Sequence, residues 1–177
     1  MRDKFLKLTQ VTKESEAMSS SIMAALQHNP TYSANVSMKE KEKFRETLSN
    51  EIKKHAINYY KPIPEDIHNQ NIIEICKDVS LKHSAILIDS KLRIGTTQKA
   101  FNLYLKFLWC LDPNRADPPH CPIDRVVLNH AGIGGAWTKL DSLELYMQWI
   151  ARLKETATKA GFSSIQQWEL SIWNGIP

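Results

Sequence analysis

Leu92-Arg93-Ile94-Gly95-Thr96-Thr97-Gln98-Lys99-Ala100-Phe101-Asn102-Leu103-Tyr104-Leu105-Lys106-Phe107-Leu108-Trp109 is the stretch on which the reading of the fold turns. Ser90 to Gly95 reads as a short turn, and its glycine would let the backbone come close to a bound strand. Thr96 to Leu111 then reads as a strongly apolar helix. With a helix before the turn, the unit is a helical hairpin.

Helical periodicity extends outward from this hairpin on both sides. Upstream, Glu65 to about Asp89 is helical, with a break expected near Asn69-Gln70-Asn71. Ile72, Ile73, Ile75, Cys76, Val79, Ala85, Ile86 and Ile88 supply its core positions. Lys61-Pro62-Ile63-Pro64 is a rigid connector. Before it, a helix runs from about Ser37, a capping residue, to Tyr60, with Phe44, Leu48, Ile52, Ala56 and Tyr59 as one apolar stripe. Another helix covers residues 13–28, with Met18, Ile22, Met23 and Leu26 at helical spacing, and His28-Asn29-Pro30 stops it. Downstream, Asp112 to His120 is an irregular loop with three prolines, and Pro122 opens a helix to about His130. Gly132, Gly134 and Gly135 make a loop. Asp141 with Glu144, and Ser163 with Gln166, have the spacing of capping boxes for two closing helices that end near Gly161 and Asn174-Gly175. No alternating strand pattern appears, so the class is all-α, with residues 1–61 a helical segment of unclear role and residues 62–177 the functional region.

The composition fits a globular domain: 177 residues, 42% hydrophobic and 24% charged, with a formal net charge of +4. That charge permits a polyanionic partner without requiring one. Cys76, Cys110 and Cys121 have neither zinc-site nor disulfide-framework spacing and read as reduced thiols. Phe5 to Val11 is too short and interrupted for a signal peptide. No run reaches the ~18 apolar residues of a membrane span. The expectation is a cytoplasmic protein without membrane contact.

Three features could carry chemistry. The start of the second hairpin helix exposes unpaired N–H groups, and with Gly95, Thr96 and Thr97 it could hold a phosphate. Arg93, Arg125 and Lys106 could also touch phosphates. Lys99 sits near the mouth of a very apolar helix, where desolvation would free its amine as a nucleophile. Asp124, two residues after Pro122, lies at a helix start, where the dipole favours a carboxylate that could stabilise a developing sugar cation. Each has a plain alternative: a packing corner, a snorkelling lysine and a capping aspartate. Trp137, Trp149 and Trp168 read as core, and His120 and His130 as structural.

The order of these features resembles the helix-hairpin-helix DNA glycosylases, most closely the archaeal 8-oxoguanine DNA glycosylase family. Gln98-Lys99-Ala100-Phe101-Asn102-Leu103-Tyr104-Leu105-Lys106 is similar to that family's catalytic-lysine helix, and Pro122-Ile123-Asp124-Arg125-Val126 to its aspartate motif. Gly161 to Trp173 resembles its last helix, in which an acidic residue precedes a tryptophan by one turn; here these are Glu169 and Trp173. The resemblance covers roughly residues 80–177, and Leu103 stands where the family places an aromatic side chain. It implies a monomeric glycosylase and abasic-site lyase acting on double-stranded DNA with a flipped-out base. Lys99 and Asp124 would be catalytic, and Glu169 and Trp173 would bind the base. Arg93, Gly95, Thr96, Thr97 and Arg125 would lie on the DNA backbone. The base would be an oxidised purine, and no metal or other cofactor is implied. The alternatives are a non-catalytic helical DNA-binding module and an all-α interaction protein of a bacterial defence system.

Overall fold

The computed structural model describes residues 1–27 and 29–175. His28, expected in the stop after the second helix, lies outside the described residues. Among those described there are eight helices and no strand. They are α1 (Arg2–Thr9), α2 (Glu14–Leu26), α3 (Met38–Ala56), α4 (Glu65–His83), α5 (Ile94–Leu111), α6 (Arg125–His130), α7 (Leu143–Lys159) and α8 (Ile165–Trp173). No helix among them is long and apolar enough to cross a membrane.

α5 is the centre of the fold. Fourteen of its 18 residues are buried. A helix that is apolar on all sides can lose water on all sides, and α1, α2 and α4 all pack against it. Phe5 of α1 meets Phe107 with ring centroids 5.1 Å apart, and Tyr59 meets Phe101 edge-on at 5.4 Å. Residues 1–61 therefore share one continuous core with residues 62–177.

Phe44, Leu48, Ile52 and Ala56 form the expected buried stripe on α3, but the helix ends at Ala56 rather than Tyr60, and Tyr59 is buried from the turn that follows. Ser37 and Glu40 close a reciprocal capping box at the start of α3. Other expectations need correction. α1 was not anticipated; it buries only Phe5, too little apolar pattern to announce a helix. α4 runs unbroken through Asn69-Gln70-Asn71. There Asn71 donates to the Tyr59 hydroxyl and Gln70 to Glu74, so the amides find partners other than the helix backbone. Met23 and Ala85 are exposed rather than core. The closing helices are capped by Ser142 and Ser164, one residue after the expected Asp141 and Ser163. Asp141 is instead paired with Lys91.

Gly95 lies in the first turn of α5, and the backbone it admits is the protein's own. Its N–H donates to the Leu140 carbonyl at 2.8 Å. A Cβ at Gly95 would lie 1.8 Å from the Trp137 carbonyl oxygen. Gly95→Ala is expected to cost about 3 kcal/mol, because backbone rather than a flexible side chain must give way. Urea denaturation checks this, and an unchanged midpoint would contradict the close packing of the Trp137–Lys139 turn on α5.

Candidate active site

Four side chains meet at one cavity of about 290 Å³: Lys99 from α5, Asp124 from the cap of α6, and Glu169 and Trp173 from α8. α5 supplies Lys99 and, one and two turns on, Leu103 and Phe107, which share a face of the helix. Phe5, Pro122 and Leu103 make the walls apolar. From residues 1–61, whose role the sequence left open, Phe5, Thr9, Ser20 and Ala24 contribute to the lining. Trp173 is 43% exposed and Glu169 wholly buried, so the cavity runs from an open aromatic rim to a buried carboxylate. The i, i+4 spacing of these two residues along α8 gives them one face.

Asp124 has two roles at once. Its Oδ1 accepts from the Val126 and Val127 N–H groups at 2.9 and 3.1 Å, which makes it the N-cap of α6. Its Oδ2 faces the Lys99 ammonium at 3.5 Å. The capping alternative and the catalytic reading thus use different oxygens. Lys99 Nζ also lies 4.3 Å from the centre of the Trp137 ring. Burial pushes the Lys99 amine below the ordinary lysine range, against the pull of the Asp124 carboxylate. Trp137 is buried with Trp149 and Trp168, as expected, and it also floors the lysine.

Lys106 corrects an expectation. It is a buried ion-pair partner, 2% exposed, with its Nζ 2.6 Å from Glu169 Oε2 and 3.9 Å from the centre of the Phe5 ring. It cannot reach a phosphate. Burial raises the Glu169 carboxyl, and the Lys106 ammonium opposes that rise. Neither Glu169 oxygen has a partner in hydrogen-bond geometry within the described residues, and the Lys106 contact to Oε2 is an ion pair, which leaves Oε1 without any polar partner.

The expected phosphate cradle is also corrected. Gly95, Thr96 and Thr97 are buried. Thr96 Oγ1 accepts from Asn29, and Thr97 Oγ1 meets Cys76 Sγ at 2.9 Å. The start of α5 is covered by the Trp137–Lys139 turn, and its Gly95 N–H serves the Leu140 carbonyl. Arg93 is engaged by Asp89 Oδ2 at 2.7 Å and the Thr138 carbonyl. Arg125 is exposed and lines a second cavity of about 420 Å³, which shares Lys99, Asp124 and Trp173 with the first. Lys99 and Asp124 stand where the two cavities join.

A buried polar network holds the loop before Asp124. Asn102 donates to Tyr146 Oη, which lies 2.8 Å from His120 Nδ1, and His120 Nε2 lies 2.7 Å from Glu65. Burial pushes His120 down to about 4, against the pull of Glu65. Buried His68, 4.6 Å from it ring to ring, is lowered in the same direction. The folded state therefore disfavours imidazolium relative to the unfolded chain. This contribution is full above about pH 6.5 and is lost as pH falls toward 4, up to roughly 3 kcal/mol for His120 alone. Denaturation free energies at pH 7.5, 5.5 and 4.5 should fall in that order, and His120→Gln should flatten the slope. His130, by contrast, is exposed.

No protein-family model, curated protein or solved structure matches the chain.

Proposed function

We propose that this protein is a DNA base-excision glycosylase with abasic-site lyase activity, and that its all-α fold is of the helix-hairpin-helix glycosylase kind. One observation carries the reading. A desolvated lysine and a carboxylate face each other 3.5 Å apart, at the mouth of an apolar cavity with a buried carboxylate at one end and an exposed indole at the other. An extruded base would enter the cavity, stack on Trp173 and meet Glu169 with its N–H edge. The unpartnered Glu169 Oε1 would accept a donor from the base, while Lys106 would hold the carboxylate in place.

The chemistry follows from the lysine. The neutral Lys99 amine attacks C1′ of the deoxyribose, and the bond from C1′ to the base breaks. The base leaves with the bonding pair and takes up a proton. The Asp124 carboxylate stabilises the positive charge that develops on the sugar. Ring opening gives a protonated imine between Lys99 Nζ and C1′. Loss of a C2′ proton then expels the 3′ phosphate and nicks the strand, and hydrolysis releases the lysine.

Arg125, at the edge of the second cavity, is the side chain best placed for the phosphate beside the flipped nucleotide. Arg125→Ala should lower the slope of log K against log salt by about 1 and weaken binding alike for all sequences. An unchanged slope in a fluorescence-anisotropy titration would remove this contact.

Strand nicking by the protein on duplexes carrying single lesions, oxidised purines first, tests the reading. Nicking at one of them, and at an abasic site, is expected. Binding without nicking across the panel would favour a non-catalytic DNA-binding module instead.

A further inference from the structure

Gln98 precedes Lys99, and Ile123 precedes Asp124. The wholly buried Gln98 side chain joins these two places. The Ile123 N–H donates to Gln98 Oε1 at 3.0 Å, and Gln98 Nε2 donates to the Ile123 carbonyl at 2.8 Å. The other Nε2 hydrogen goes to the Gly95 carbonyl at 3.0 Å, within α5. A side-chain amide that meets one backbone residue in both directions is fixed in orientation, since a flip would set N–H against N–H. One turn along α5, Asn102 donates to the Cys121 carbonyl at 3.2 Å. The segment leading to Asp124 is thus tied to the helix that carries Lys99.

The side chain of Asp124 cannot compensate for a shift of its backbone. Its Oδ1 is held by the N–H groups of Val126 and Val127. The carboxylate therefore moves with residues 123–127 as a unit, and the anchor of Ile123 decides how far Oδ2 stands from Lys99. Without the Gln98 amide, the N–H and C=O of fully buried Ile123 lose their partners, and the loop must shift to find others.

We propose that Gln98 is a positioning residue whose two-way hydrogen bond to Ile123 sets the Lys99–Asp124 spacing and, through it, the reactivity of Lys99. This rests on the reading of Lys99 and Asp124 as the reacting pair, but part of its test does not. In protein labelled with ε-¹³C-lysine, NMR follows the titration of Lys99 without DNA. Gln98→Met should move that titration to lower pH, in the same direction as Asp124→Asn, because Lys99 loses its counter-charge. The double variant should add little to either. Gln98→Asn, which keeps a buried amide but falls one methylene short of Ile123, should move it the same way. A Lys99 titration unchanged in either folded Gln98 variant, while Asp124→Asn shifts it, would overturn the proposal.

Borohydride trapping on an abasic duplex reads the consequence. At saturating DNA, Gln98→Met should trap roughly 10²-fold more slowly than the unmodified protein, as expected for a displaced reacting group. An equal rate would also overturn the proposal. If the unmodified protein traps nothing, the lyase reading fails, and the lysine titration still decides the role of Gln98.

Discussion

Lys99→Gln is expected to abolish nicking at an abasic site and to leave duplex binding intact. The amide cannot form an imine with C1′, so no path to elimination remains. Nothing in the fold depends on the ammonium: its contacts are Asp124, whose capping bonds use the other oxygen, and the face of Trp137. Thermal stability should therefore change little. Asp124→Asn is the informative companion. Asparagine caps a helix as well as aspartate does, so α6 should persist while the rate falls by roughly 10²–10³-fold for want of the negative charge. Nicking kinetics beside a melting curve separate the two effects. Retained nicking by Lys99→Gln would mean that another amine does the work.

Glu169→Gln should have the largest effect on stability. The Lys106–Glu169 pair is almost wholly removed from water. Taking away one partner leaves a buried charge without compensation, at a cost of about 3–5 kcal/mol. Lys106→Met alone leaves Glu169 in the converse position. The double variant Lys106→Met/Glu169→Gln removes both charges, so it should be more stable than either single variant in urea denaturation. It should nonetheless excise no base, because the carboxylate that would meet the base edge is gone. Single variants that cost under about 1 kcal/mol would mean that water already reaches the pair.

The parts of the fold that were legible in the sequence are those with local physical signatures. The apolar run of α5, the α3 stripe and the Ser37 cap depend on neighbours within one or two turns. α1 was invisible because its eight residues, of which only Phe5 is buried, are too short a window to establish a period. Gly95 shows a different limit. The glycine read as room for a bound strand, but the neighbour is the Trp137 carbonyl, and no local signal distinguishes that from a phosphate. Once the start of α5 is buried, Thr96 and Thr97 follow it inside.

The site divides in the same way. Lys99 and Asp124 could be singled out from their types and positions, whereas Glu169 and Trp173 came only from the family resemblance; all four line one cavity. Lys106 was misassigned because a lone lysine ordinarily reaches solvent, and its buried partner stands on another helix, α8. The amide bonds of Gln98 and Asn102 were unreadable for the same reason. Each is a polar residue in an apolar run, and its partner lies in the proline-rich segment on the far side of a loop.

The most direct test of the central claim is to map the covalent adduct. The protein is mixed with an abasic-site duplex and borohydride, digested, and the cross-linked peptide sequenced by mass spectrometry. The expected result is one adduct, on the peptide containing Gln98-Lys99-Ala100, with the deoxyribose remnant on Lys99 Nζ. An adduct on the N-terminal amine or on another lysine, or no adduct with bound DNA, would contradict the account.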